Sequence, residues 1–171
     1  PDYCLFYGWS WKIPNKIIKN YKCIMLHPSK LPQFRGGSPI QNQIIRGVIK
    51  SSITHFLMNE YIDKGDIIFQ DDLDLTGSLN QIFSRIVKVS TRRTKQILKN
   101  KYKLKNQNDK NATYYKRIDS SKSEITISEL KNKSGLYLFN KIRMLQDPYP
   151  NAYIKTSDGK KLIIKIVNLS K

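Results

Sequence analysis

Met25-Leu26-His27-Pro28-Ser29-Lys30-Leu31-Pro32-Gln33-Phe34-Arg35-Gly36-Gly37 is the stretch on which the reading of this chain turns. The apolar run Cys23-Ile24-Met25-Leu26 reads as a short buried strand. A helix start follows the glycine pair. His27 therefore falls at the carboxyl end of a strand, where open α/β sheets place ligands. Pro28 and Pro32 fix φ and bias the residues before them away from helix, which stiffens the loop. Gly36 and Gly37 let the backbone come close to a bound molecule. A stiff loop with one titratable imidazole suits catalysis, and an ordinary loop with a structural histidine fits the same residues.

The 171 residues suffice for one domain with a real core and a small appendage. Net charge is +18, from 31 Lys+Arg against 13 Asp+Glu. Such a balance favours anionic partners: phosphates, nucleotides, nucleic acid. The chain is also rich in Lys, Ile and Asn generally, which genome base composition produces without selection for binding. No apolar run reaches the ~18 residues of a membrane span, and no signal-peptide pattern is visible. Cys4 and Cys23 lie in apolar stretches and read as free core thiols in a reducing, cytoplasmic compartment. Two Cys and two His without ligand spacing argue against a structural zinc site. The opening Pro1-Asp2-Tyr3, with no methionine and directly in a strand, suggests one segment of a longer protein.

In chain order, Tyr3–Tyr7 reads as a buried strand ending in Gly8-Trp9-Ser10-Trp11-Lys12-Ile13-Pro14. The two tryptophans either form a flat wall for an aromatic ligand or cap the core. Pro14 opens a short helix, Asn15 to Asn20, with Ile17 and Ile18 inward. Ser38-Pro39-Ile40-Gln41 reads as a capping box, starting a helix with Ile40, Ile44 and Ile45 on one face and a stop at Gly47. Ser52–Met58 and Ile67–Gln70 read as strands. Between them, Asp63 and Asp66 flank Lys64-Gly65, a pair that serves chemistry or merely shapes a turn. Ser78-Leu79-Asn80-Gln81 is a second capping box, and Leu79, Ile82, Phe83, Ile86, Val87, Ile97 and Leu98 form an amphipathic stripe. The basic tract from Arg92 to Lys105 is either a solvated face or a phosphate contact. Residues 106–111 read as a linker or mobile loop. Ser134–Leu145 reads as a helix stopped at Asp147-Pro148, and Ala152–Thr156 and Lys161–Val167 flank the hairpin turn Asp158-Gly159.

Three of these stretches, in this order, resemble the folate-dependent formyltransferases of the methionyl-tRNA formyltransferase type. The first is His27 to Ile40, similar to the family's His-x-Ser-x-Leu-Pro-x-x-Arg-Gly signature. The second is Tyr61-Ile62-Asp63-Lys64-Gly65-Asp66, its aspartate turn. The third is Ile142 to Ala152, its C-terminal signature. Within the family the sugar N-formyltransferases look nearest, from Gly36–Gln41 and Gly8–Trp11.

The resemblance implies an α/β fold: a Rossmann-like formyltransferase core, with an incomplete parallel sheet and flanking helices, plus a small C-terminal helix and β-hairpin. The core would span residues 1–105 and the C-terminal subdomain residues 106–171. The family's first strands would precede Pro1. The implied reaction moves a formyl group from 10-formyltetrahydrofolate to the amine of a nucleotide-linked amino sugar, without a metal. Methionyl-tRNA is the alternative acceptor, and a non-catalytic folate- or nucleotide-binding remnant the alternative of another class. No membrane partner is implied, and a homodimer stays open. His27 maps onto the catalytic histidine and Asp63 onto the catalytic aspartate. Tyr7, Trp9, Trp11, Ile13 and Tyr61 would line the donor site. Lys30, Gln41, Arg117, Tyr149 and Tyr153 are acceptor-side candidates from their polar character near the motifs. One departure stands out: Met25 occupies the position of the family's third catalytic residue, an asparagine. A thioether donates no hydrogen bond, and losing one oxyanion donor typically costs ~100–1000-fold in rate.

Overall fold

The segment from Lys50 to Leu57 is buried from Ser52 to Phe56, so it must lie inside a sheet with cover on both faces. The computed structural model describes residues 1–170 and bears this out. In chain order the elements are β1 (Tyr3–Phe6), α1 (Asn15–Asn20), β2 (Lys22–His27), β3 (Arg35–Gly36), α2 (Pro39–Ile44), β4 (Lys50–Leu57), β5 (Ile67–Asp74) and α3 (Leu79–Leu98). After these come β6 (Tyr114–Tyr115), α4 (Ile127–Asn132), α5 (Gly135–Arg143), β7 (Ala152–Lys155) and β8 (Lys161–Ile164).

The main sheet has strand order β1-β2-β4-β5. Only β1 and β2 run parallel, joined across α1, with Cys4 opposite Cys23. β2 and β4 are antiparallel, with His27 opposite Thr54, and β4 and β5 form a long antiparallel pair. β1 is an edge strand of this sheet, so Leu5 is exposed where the sequence suggested a wholly buried strand. Ile17 and Ile18 on α1 are half-buried rather than inward.

Side chains alternate across β2. Ile24 and Leu26 join apolar clusters that contain residues of α3. Met25 faces the other way and packs with Leu31, Phe56, Ile67 and Met58. His27, two residues on, shares the Met25 face. That face is covered by the loop after β2: Thr54 Oγ1 donates to Ser29 O at 2.6 Å, and Gln70 Nε2 donates to Leu31 O at 3.0 Å.

α3 is one 20-residue helix with the expected capping box at Ser78 and a buried stripe at Leu79, Ile82, Ile86, Ser90 and Ile97. The expected box at Ser38 is absent. Ser38 sits in the left-handed region, φ +47°, and its hydroxyl accepts from the Ile118 N–H at 3.1 Å instead of capping α2. α4, unanticipated, starts with its own capping box at Thr126 and Glu129.

The C-terminal residues share the main core. Ile125, Ile142, Met144, Leu145 and Ala152 pack in one cluster with Leu26, Ile40, Ile53, Leu73 and Ile82. Two side chains around the third motif brace the start of α3. Buried Arg143 donates to the Leu75 and Gly77 carbonyls at 2.8 and 3.0 Å. Gln146 Oε1 accepts from the Leu79 N–H at 3.1 Å, an otherwise free helix-start donor. No helix among the described residues is long and apolar enough to cross a membrane.

Candidate functional site

His27 ends β2 and is 5% exposed. Its Nε2 lies 2.7 Å from Phe34 O. A carbonyl only accepts, so Nε2 carries the hydrogen, and in the neutral ring Nδ1 keeps the lone pair. Phe34 reaches this position with φ +56°, in the left-handed region. The loop between His27 and Phe34 therefore fixes both the ring orientation and the tautomer.

Asp63 arrives less directly. In register, the end of β4 lies at the start of β2, with Leu57 opposite Ile24. The connection to β5 must run back along the sheet to reach His27. Gly65 makes the crossing possible, because a Cβ there would stand 1.7 Å from Leu57 O. Asp63 adopts φ +54°, and its Oδ2 accepts from the Gly36 N–H at 2.7 Å. The same oxygen is 3.6 Å from His27 Nδ1. This is too long for a hydrogen bond but suits an ion pair once the ring is protonated.

A buried brace holds the turn. Arg35 Nε donates to Asp63 O at 3.1 Å, and its terminal nitrogen donates to Gln107 Oε1 and Asp109 Oδ1, both at 2.7 Å. Gln107 Nε2 donates in turn to the Asp63 and Gly65 carbonyls at 2.9 and 2.7 Å. The hydrogen bonds from Arg35 and then Lys64 hold the Asp109 carboxyl below the usual carboxylate range. Residues 106–111, expected as a linker or mobile loop, are thus part of the site's support, with a short 3-10 turn at Asp109–Asn111.

His27 and Asp63 share the wall of one cavity of about 1170 Å³. Tyr7, Trp9, Trp11, Ile13 and Tyr61 all line it. Trp9 and Trp11 meet edge to face with ring centres 5.4 Å apart, and Trp11 is 73% exposed, so the pair is an open aromatic rim rather than a core cap. Tyr7 is tied to α3 by a 2.8 Å bond to Thr94 Oγ1. Met25, Gln41, Arg117 and Tyr149 also line the cavity. Lys30 and Tyr153 do not. Lys30 is exposed on the outer side of the proline loop, and the Tyr153 ring lies under the Lys161 ammonium on the hairpin, its hydroxyl toward Glu124. Polarity near a motif, the only sequence signal at these two positions, says nothing of where a side chain points. Sequence reasoning missed Arg35, Gln107 and Asp109 as supports; the arginine lay inside the first motif, but no local signal marks the other two.

The second histidine, His55, is fully buried on β4 under the Tyr7 ring, and neither ring nitrogen has a partner among the described residues. Burial lowers its pKa to about 4, with Asp71 opposing and Arg93 assisting. It stays neutral at physiological pH. Cys4 and Cys23 are free thiols, and burial pushes Cys23 up to about 11. No group of three or more His, Cys, Asp or Glu among the described residues could hold a metal ion.

Residues 1–92 match the family described as formyl transferase. The methionyl-tRNA formyltransferase of Sulfurimonas denitrificans is 34% identical over 157 residues, 90% of this chain and 50% of that protein. The structure of the methionyl-tRNA formyltransferase from Clostridium thermocellum gives a TM-score of 0.84 at 34% identity, over 96% of this chain and 76% of that one. A 4-N formyltransferase from Francisella tularensis gives 0.76 at 25% identity, over 99% and 72%. The chain spans about half the length of the curated relatives it matches.

Proposed function

This chain belongs to the formyl transferase family, and from that membership we propose that the protein moves a formyl group from 10-formyltetrahydrofolate to an amine. The observation that carries the reading is the pairing of His27 with Asp63 in a cavity rimmed by Tyr7, Trp9, Trp11 and Tyr61. The aromatic rim suits the flat bicyclic ring of a folate.

The amine nitrogen attacks the formyl carbon, and the carbonyl electrons move onto oxygen. His27 Nδ1, free because Nε2–H is committed to Phe34 O, takes the proton that the nitrogen sheds. The imidazolium then faces the Asp63 carboxylate. As the tetrahedral intermediate collapses, the bond from carbon to the folate N10 breaks, and N10 receives the proton from His27. The products are the formamide and tetrahydrofolate, with no net proton change.

For the acceptor, the similarity favours methionyl-tRNA. Two 34% identical proteins are named for that substrate, and a net charge of +18 suits a polyanion. A nucleotide-linked amino sugar is the second reading, supported by the resemblance of Gly8–Trp11 and Gly36–Gln41 to the sugar N-formyltransferases. Arg117 and Tyr149 on the cavity wall are the acceptor-side candidates. The test is incubation of the intact protein with 10-formyltetrahydrofolate and each acceptor, followed by mass spectrometry. Formylmethionyl-tRNA is the expected product. A formylated sugar alone selects the second reading. Bound folate with no formylated amine overturns the enzymatic reading and leaves a ligand-binding family member.

A further inference from the structure

Helix α2 carries three consecutive buried amides, Gln41, Asn42 and Gln43. Two of them are spent on structure. Asn42 Nδ2 donates to the Gly37 and Lys116 carbonyls at 2.9 and 3.1 Å. Gln43 Nε2 donates to the Pro28 and Pro39 carbonyls, both at 2.8 Å, and its Oε1 accepts from the Ser51 hydroxyl. These bonds fasten the loop that follows β2 and the entry to α2. Gln41 differs. It is 3% exposed, it lines the cavity with His27, Met25 and Asp63, and its Nε2 has no partner among the described residues.

A buried amide nitrogen without an acceptor costs free energy that evolution seldom leaves unrecovered. Two donors beside His27 are committed: the Gly36 N–H to Asp63, and the His27 Nε2–H to Phe34 O. Met25 offers none. Resting on the formyl-transfer reading, we propose that the Gln41 side-chain amide donates to the formyl oxygen of the bound donor. The same bond tightens as that oxygen gains charge during attack, which makes Gln41 the oxyanion donor of this site.

The test uses two stable folate analogues that differ only in the formyl group, 10-formyl-5,8-dideazafolate and 5,8-dideazafolate, titrated calorimetrically into the intact protein. The unaltered protein should bind the formylated analogue roughly three- to tenfold more tightly, the worth of one hydrogen bond. Gln41→Leu and Gln41→Glu should both abolish that preference and leave the affinity for the unformylated analogue unchanged; the two variants guard against one failing to fold. A preference kept in either folded variant, or absent from the unaltered protein, overturns the role of Gln41 alone. Binding of neither analogue overturns the folate reading together with it.

Discussion

At the scale of single residues, the His27 ring is set by the Phe34 carbonyl, so the fold determines that Nδ1 is the nitrogen left with a lone pair. Met25 is the counterpart to that order. It packs against Leu31, Phe56 and Ile67 on the same face as His27, and it contributes bulk without a donor. If Gln41 serves the formyl oxygen, Met25→Asn should change the turnover of the otherwise unaltered protein little. In a Gln41→Leu background it should restore turnover by roughly tenfold or more. Initial rates of the four combinations decide this, and equal effects in both backgrounds would separate the two positions. His55 makes a different prediction, about stability. Its pKa is about 4 folded against 6.5 unfolded, because burial penalises the charged ring. The unfolded chain therefore binds the extra proton first as pH falls. Stability should be full above pH 6.5, decline by roughly 2–4 kcal/mol toward pH 4, and level off below it. His55→Leu should flatten that decline in urea melts recorded across the range.

At the scale of elements, the site depends on two loops folded over the face of β2 that carries Met25. One is braced by Asn42 and Gln43, the other by Arg35 and Gln107. Removing Arg35 leaves Gln107 Oε1 without its donor and the Asp63 carbonyl with only one of its two. Arg35→Leu should cost about 1–3 kcal/mol in denaturant melts and lower the formyl-transfer rate by more than that loss alone explains, since the Asp63 turn is released. A variant with normal turnover would show that the brace has no part in the chemistry. Strands β2, β4 and β5, helix α3 and the C-terminal hairpin were legible because their signals are local: apolar runs, a capping box, a turn dipeptide. The Ser38 box misled because the left-handed backbone at that residue turns its hydroxyl toward Ile118. The 106–111 segment misled because its polar composition describes a linker equally well, and its partners lie more than forty positions away. The pairing of His27 with Asp63 came from the motif resemblance; nothing in either stretch alone says that a turn at the far end of β4 doubles back.

At the scale of the whole molecule, one core joins β4, β5, α2 and α3 to the C-terminal helix and hairpin. The third motif serves that union through Arg143 and Gln146 while delivering Tyr149 and Pro150 to the cavity wall. The charge of +18 bears on the acceptor. If methionyl-tRNA is bound, affinity should fall by an order of magnitude or more between about 50 and 200 mM salt, as several phosphate contacts require; a salt-insensitive association would point to the smaller acceptor. The proposed chemistry requires a base held at the end of β2. Its most direct test is the single-turnover rate of formyl transfer by the intact protein carrying His27→Gln, measured beside the unaltered protein on the same acceptor. The rate should fall by at least about 100-fold with the thermal melt preserved. A folded variant that transfers the formyl group at the unaltered rate would contradict the proposed chemistry.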